Sequence, residues 1–171
     1  MEDKKVVQGA RSLLVMLSLT FFPFSPTSAS NSNELGYSIN GATLAQNTFV
    51  YNPKSLKWQA IKNGKVIRSG RGSGGSHYCK DIGRSCRTPT GTYSVISKGG
   101  SDCRSSKYPV NRGGAPMPYC MFFRKNYAIH GSPDLPARNA SHGCIRVRPS
   151  DARWLNHNFM RVGSRVVVKP Y

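Results

Sequence analysis

The sequence predicts a single β-rich domain, and three observations carry that expectation. Gly and Pro are plentiful, with 17 and 11 in 171 residues, and Ser is common beside them. Long amphipathic helical patterns are missing. Short runs of β-branched and aromatic residues end instead in turn residues, most clearly at Asn63-Gly64. A chain of this length can bury one real core and not comfortably two.

The first residues read as an export signal. Lys4, Lys5 and Arg11 make a positive start, and Leu13 to Phe24 is a short, Pro-interrupted apolar run. Thr27-Ser28-Ala29 offers small residues for cleavage. Residues 1–29 are therefore expected to be a signal peptide, with an uncleaved anchor as the alternative. No second apolar run follows, so the mature chain is expected to be exported to the periplasm or cell envelope without a transmembrane segment. Residues 30–46 are polar and weakly patterned and read as a flexible lead-in. The domain is expected over 47–171.

Within it, Thr48 to Tyr51 reads as a strand. Lys57–Ile61 and Val66–Ser69 flank Asn63-Gly64 as a hairpin, because both turn positions tolerate positive φ. Trp58 and Ala60 share one face of its first arm. Gly70 to Gly75 reads as a flexible loop; it lacks the Gly-Lys-Ser/Thr ending of a phosphate loop. Thr88-Pro89-Thr90-Gly91 turns into a strand over Thr92–Ser97. Residues 99–118 are a long irregular loop, and loops of that length are usually functional or stapled. Met121–Phe123 and Tyr127–His130 form a second hairpin that delivers His130 at a strand end. Ser150 is the expected cap of one short helix with Ala152, Leu155 and Phe159 on its buried face. A Val-rich strand, 165–169, closes the chain.

Five cysteines are an odd set: Cys79, Cys86, Cys103, Cys120 and Cys144. In an oxidising compartment four can pair, and any chosen four allow three pairings. Cys79–Cys86 and Cys103–Cys120 each close a local loop and are favoured. Cys144 is then the free thiol. No metal is expected, because no second pair of Cys or His stands at ligand spacing, and no cofactor is expected.

Cys144 lies in the stretch Ser141-His142-Gly143-Cys144-Ile145-Arg146, downstream of His130-Gly131. A nucleophilic thiol needs a base, oxyanion donors and a charge to seat an anionic substrate. His130 is the expected base, from an adjacent strand, with His142 in support. The N–H groups of Gly143 and Cys144 are candidate oxyanion donors. Arg146 is a candidate carboxylate clamp, and Ser141 is placed to hydrogen-bond within the turn. Each also has an ordinary structural role open to it, as a buried thiol, a satisfied imidazole or a solvated charge.

These motifs resemble the L,D-transpeptidase catalytic domain (the YkuD-like family). His130-Gly131 with Ser141 to Arg146 resembles its signature, and Thr88-Pro89-Thr90-Gly91 resembles its TPxG segment. Met117-Pro118-Tyr119 resembles the motif before its active-site strand. The resemblance runs from about residue 47 to the C-terminus. It implies a sandwich-like, mainly β fold with one short helix and long loops. It also implies a thioester route on peptidoglycan stem peptides: Cys144 attacks, His130 moves protons, Gly131 orients His130, and Arg146, Ser141 and Gly131 lie at the substrate. The products would be 3→3 crosslinks. L,D-carboxypeptidase action or attachment of a protein amine to the wall would use the same residues.

The formal charge is +18, from 25 Lys and Arg against 7 Asp and Glu. That excess predicts an anionic neighbour, a cell-wall or envelope polymer. Nucleic acid is not expected, since few aromatics interleave with the basic residues. A non-catalytic basic wall-binding module is the alternative to the enzyme.

Overall fold

A computed structural model describes residues 46–171, together with the backbone of 38–39 and 42–43. The expected signal segment and most of the lead-in lie outside the described residues. Within the lead-in, β1 (Ser38–Ile39) pairs antiparallel with β2 (Ala42–Thr43).

Alternation builds the first half of the main sheet. β3 (Thr48–Asn52), β4 (Lys57–Lys62) and β5 (Lys65–Ser73) run antiparallel. Trp58 and Ala60 are fully buried, while Lys57 and Gln59 stay exposed, as the period of two requires. Asn63 and Gly64 take φ of 51° and 73°, which suits the right-handed twist of a tight hairpin.

β5 runs through Gly70 and Gly72 of the segment expected to be a loop and ends at Ser73, before Gly74 and Gly75, and close packing is the reason. A Cβ at Gly70 would lie 2.8 Å from the Trp58 ring, and one at Gly72 would lie 2.9 Å from Tyr51. Glycine here admits large aromatics against the backbone rather than freeing the chain.

β5 also turns a corner. Its first part pairs with β4, and its end, Gly72 and Ser73, pairs with β10 (Ile145–Val147) of the second half. A second corner lies in the segment expected as one strand over 92–97. It divides into β6 (Gly91–Ser94), paired with β11 (Arg165–Val168), and β7 (Ser97–Lys98), paired with β8 (Met121–Arg124). Val95, at the bend, is buried. The strand order is β6-β11-β3-β4-β5-β10-β9-β8-β7, with β9 at Tyr127–Gly131. Strands that change partner at corners let one curved sheet fold over its own core, giving a mainly β, sandwich-like domain.

The larger of two apolar clusters among the described residues joins both halves of the fold, and the smaller gathers Met117, Cys120 and Ala128. In the larger, Phe49, Trp58 and Val166 come from the first half, Phe123, Ile129 and Ile145 from the second. Helix α1 (Pro149–Trp154) packs beside β9 and runs on into a wider π turn, Leu155–Phe159, burying Ala152, Leu155 and Phe159. Ser150 does not cap it. Arg148 takes the cap position without a side-chain bond, and Pro149 starts the helix, where its missing N–H costs nothing. Asp151 in the first turn bonds Arg68 of β5 at 2.8 Å and favours the positive helix end. No described helix is long and apolar enough to cross a membrane.

Candidate active site

The site lies on the outer face of the second half. β9 and β10 are parallel, with Ile145 opposite Ile129 and Arg146 opposite His130. Ile129, Ile145 and Val147 point into the core, so His130 and Arg146 point the other way. Cys144 precedes β10 and shares the face of Arg146. His130 in β9 and Cys144 just before β10 thus lie a diagonal step apart.

Parallel strands need a crossover, and residues 132–144 supply it. The crossover is pinned to the far end of β5. Asn139 Oδ1 accepts the Tyr51 hydroxyl at 2.6 Å and the Gly74 N–H at 2.9 Å. The N–H groups of Ala140 and Ser141 both reach the Gly74 carbonyl at 2.9 Å. Thr88 secures the next residue: its Oγ1 takes the Gly75 N–H at 2.9 Å.

The nucleophile turn is shaped by Ser141 and Gly143. The buried Ser141 hydroxyl donates to the Cys144 carbonyl and accepts the Gly143 N–H at 3.0 Å. Ser141 therefore holds the turn from within. The Gly143 N–H, one of two expected oxyanion donors, is engaged by that bond. Among the described residues no acceptor takes the Cys144 N–H. Gly143 has φ of +119°, and a Cβ there would lie 2.5 Å from the Tyr127 ring. Only glycine fits both constraints.

His130 is buried, and its Nδ1 lies 2.9 Å from the Gly131 carbonyl. That bond sets Nδ1 as the donor and leaves Nε2 as a free base. Burial pushes the imidazole pKa down to about 4; the Gly131 carbonyl opposes this and the Arg146 charge adds to it. The ring is neutral at pH 7. Burial likewise pushes the Cys144 thiol up, against the Ala128 N–H and Arg146, which favour thiolate. The resting pair is a neutral thiol and a neutral imidazole. Gly131 is itself buried, and its N–H donates to the Pro118 carbonyl at 2.8 Å. Its part is to orient His130.

Cys144 is half-buried and opens onto a cavity of about 410 Å³. His130, Ser141, His142 and Arg146 line the same cavity. The loop 99–118 supplies the opposite wall through Arg104 to Tyr108 and Ala115 to Pro118. The Cys103–Cys120 disulfide staples this lid, and Cys79–Cys86 closes a second loop beside the nucleophile turn. Cys144 is the free cysteine among the described residues. Arg146 Nη1 bonds Asp134 of the crossover at 2.6 Å. His142 Nε2 lies 2.7 Å from Asp81, and its ring stacks on Tyr108.

A sequence model of the L,D-transpeptidase catalytic domain (YkuD) matches residues 46–168. The chain belongs to that family. The domain is similar to the L,D-transpeptidase from Xylanimonas cellulosilytica, at 28% identity and a TM-score of 0.62, over 72% of this chain and 60% of that one. It shares its fold with an L,D-transpeptidase from Mycobacterium smegmatis at 20% identity and a TM-score of 0.61, over 78% and 65% of the two chains. It does so too with L,D-transpeptidase 3 from Mycobacterium tuberculosis, solved with a faropenem-derived adduct, at 22% identity and a TM-score of 0.59, over 74% and 61%. The chain thus spans 60 to 65% of the length of these relatives. A search of curated proteins gives no match.

Sequence reasoning missed Asp81, Asp134, Tyr108 and Tyr127. Asp81 and Asp134 carried one usable signal: Asp and Glu number only seven in the chain. Tyr127 and Tyr108 carried none, because both act across loops.

Proposed function

We propose that the domain is an exported cysteine L,D-transpeptidase acting on peptidoglycan stem tetrapeptides. The observation that carries this is a lone free thiol and a neutral, carbonyl-oriented imidazole on adjacent strands, opening onto one cavity. His130 Nε2 takes the Cys144 proton as the sulfur attacks the carbonyl of residue three. The Cys144 N–H meets the developing oxyanion in this reading. The C–N bond to the terminal D-alanine then breaks, and the imidazolium returns its proton to the leaving amine. A thioester on Cys144 remains. The side-chain amine of a second stem attacks it, and His130 takes the amine proton and passes it to the departing sulfur. A 3→3 peptide bond forms and the thiol is restored. Water or a protein amine in the acceptor's place gives a tripeptide or a wall-anchored protein. Arg146, braced by Asp134, seats a substrate carboxylate. The basic surface holds the enzyme at anionic wall or envelope polymers.

The test is mass spectrometry of the purified mature protein mixed with disaccharide-tetrapeptide. The expected product is a crosslinked dimer lacking one D-alanine, absent with Cys144→Ala. Tripeptide alone would assign a carboxypeptidase. No product, with no carbapenem adduct on Cys144, would sink the enzyme and leave the wall-binding module.

A further inference from the structure

His142 stands two residues before the nucleophile, and its ring is engaged on two sides. Nε2 lies 2.7 Å from Asp81 Oδ2. The ring stacks on Tyr108 with centroids 4.2 Å apart and planes 26° apart. The three residues belong to three segments. Asp81 is in the loop closed by Cys79–Cys86, Tyr108 is in the lid closed by Cys103–Cys120, and His142 is in the nucleophile turn. A ring nitrogen of His142 also falls within 4.8 Å of both sulfurs of Cys79–Cys86.

Both outer partners are held firmly. The Asp81 loop is tied to the nucleophile turn: the Ser76 N–H donates to the Ser141 carbonyl at 2.8 Å, and the Cys86 N–H donates to the Ser76 carbonyl at 3.1 Å. Tyr108 is braced within the lid. Its N–H reaches Ser105 Oγ at 2.9 Å, and its carbonyl takes the Ala115 N–H at 2.9 Å. The His142 ring lies between these two pieces and contacts both.

We propose that Asp81 is a positioning residue for the transpeptidase reaction. Through His142 it holds Tyr108, and with it the lid wall of the cavity, so that a stem peptide meets a preformed site. This rests on the transpeptidase assignment of the cavity. Asp81 fixes the ring by accepting from Nε2, and the fixed ring offers its face to Tyr108. Without that acceptor the ring turns, the stack is lost and the lid must be ordered by the substrate. The cost then falls on binding. No proton transfer of the proposed reaction runs through Asp81 or Tyr108, so the bond-making steps keep their rate. Asn at position 81 retains an acceptor oxygen and keeps the latch.

The test is steady-state kinetics of the mature protein on disaccharide-tetrapeptide, with alkylation of Cys144 by iodoacetamide and by a bulky maleimide as a second readout. Asp81→Ala is expected to raise KM about fivefold at unchanged kcat, the scale of one partly exposed pair. Asp81→Asn is expected to stay near wild type. Tyr108→Leu should match Asp81→Ala, and the double variant should be no worse than either, because both break one contact chain. Maleimide should label Cys144 about fivefold faster in Asp81→Ala, with the iodoacetamide rate unchanged. An unchanged KM and labelling rate, additive effects, or equal losses with Ala and Asn would overturn the proposal. Should the wild type show no turnover, the transpeptidase assignment fails, while the labelling rates still decide whether Asp81 holds the lid.

Discussion

Protonating His130 should destabilise the domain, and the size of the effect follows from its burial. The imidazole has an ordinary pKa of 6.5 and is pushed down to about 4 in the fold, chiefly by burial. The unfolded chain therefore binds a proton more readily than the native one between those values. Where the unfolded state holds more protons, stability rises with pH. The stability is fully present above pH 6.5 and is lost as pH falls toward 4. Integrating between the two pKa values gives about 3 kcal/mol lost at pH 4 relative to pH 7. Other groups titrate in the same window, so the measurement is a difference. Urea unfolding of the wild type and of His130→Gln, followed at pH 7 and pH 4, isolates the imidazole. The wild type should lose about 3 kcal/mol more than the variant between the two pH values. Equal losses would refute the buried, neutral imidazole and, with it, the free Nε2 base on which the proton transfers depend.

Iodoacetamide labelling of Cys144 should rise only above the ordinary thiol range of about 8.5, because burial pushes this thiol up. A reactive plateau near pH 6 would reveal an ion pair at rest instead, and Arg146→Leu should move the rise to higher pH. Gly143→Ala should cost about 3 kcal/mol, since the new Cβ would lie 2.5 Å from Tyr127 at a φ of +119°; a melting temperature equal to wild type would contradict this. Replacing Cys103 and Cys120 by Ser opens a loop with a sequence separation of 17. That should cost about 3 kcal/mol in thermal or urea unfolding.

What was legible in the sequence was local. The Asn63-Gly64 hairpin is a matter of adjacent φ angles, and the alternation of Trp58 with Gln59 is a matter of period two. That His130 and Cys144 share a cavity was legible because each lies at or beside a short strand, and the parallel pairing of β9 with β10 sets Arg146 opposite His130 and Cys144 two residues before it. The disulfides followed from proximity in the chain. The failures had the opposite character. Gly70 and Gly72 read as loop residues because a sequence does not show that Trp58 and Tyr51 lie against those positions. Ser150 read as a cap because its type suits one, but Pro149 had already begun the helix. The Gly143 N–H looked free because the Ser141 hydroxyl that takes it depends on the turn's three-dimensional path. Asp81 and His142 are 61 residues apart, and nothing local couples them.

The scarcity of acid in this domain makes each carboxylate informative. Residues 46–171 hold four Asp and no Glu. Three of the four form ion pairs: Asp81 with His142, Asp134 with Arg146, and Asp151 with Arg68. With cations on every side, a carboxylate could find a partner anywhere, so the partners it has reflect where it was placed. Two of the three pairs stand at the cavity, one on each flank of Cys144 in sequence. Exposed pairs of this kind contribute little to stability, and Asp134 is largely exposed. Their effect must lie in the direction they give to His142 and Arg146. A domain that keeps four acids and pairs two of them with His142 and Arg146 at the cavity uses them to aim side chains, which is why removing Asp81 or Asp134 should change substrate binding before it changes melting temperature.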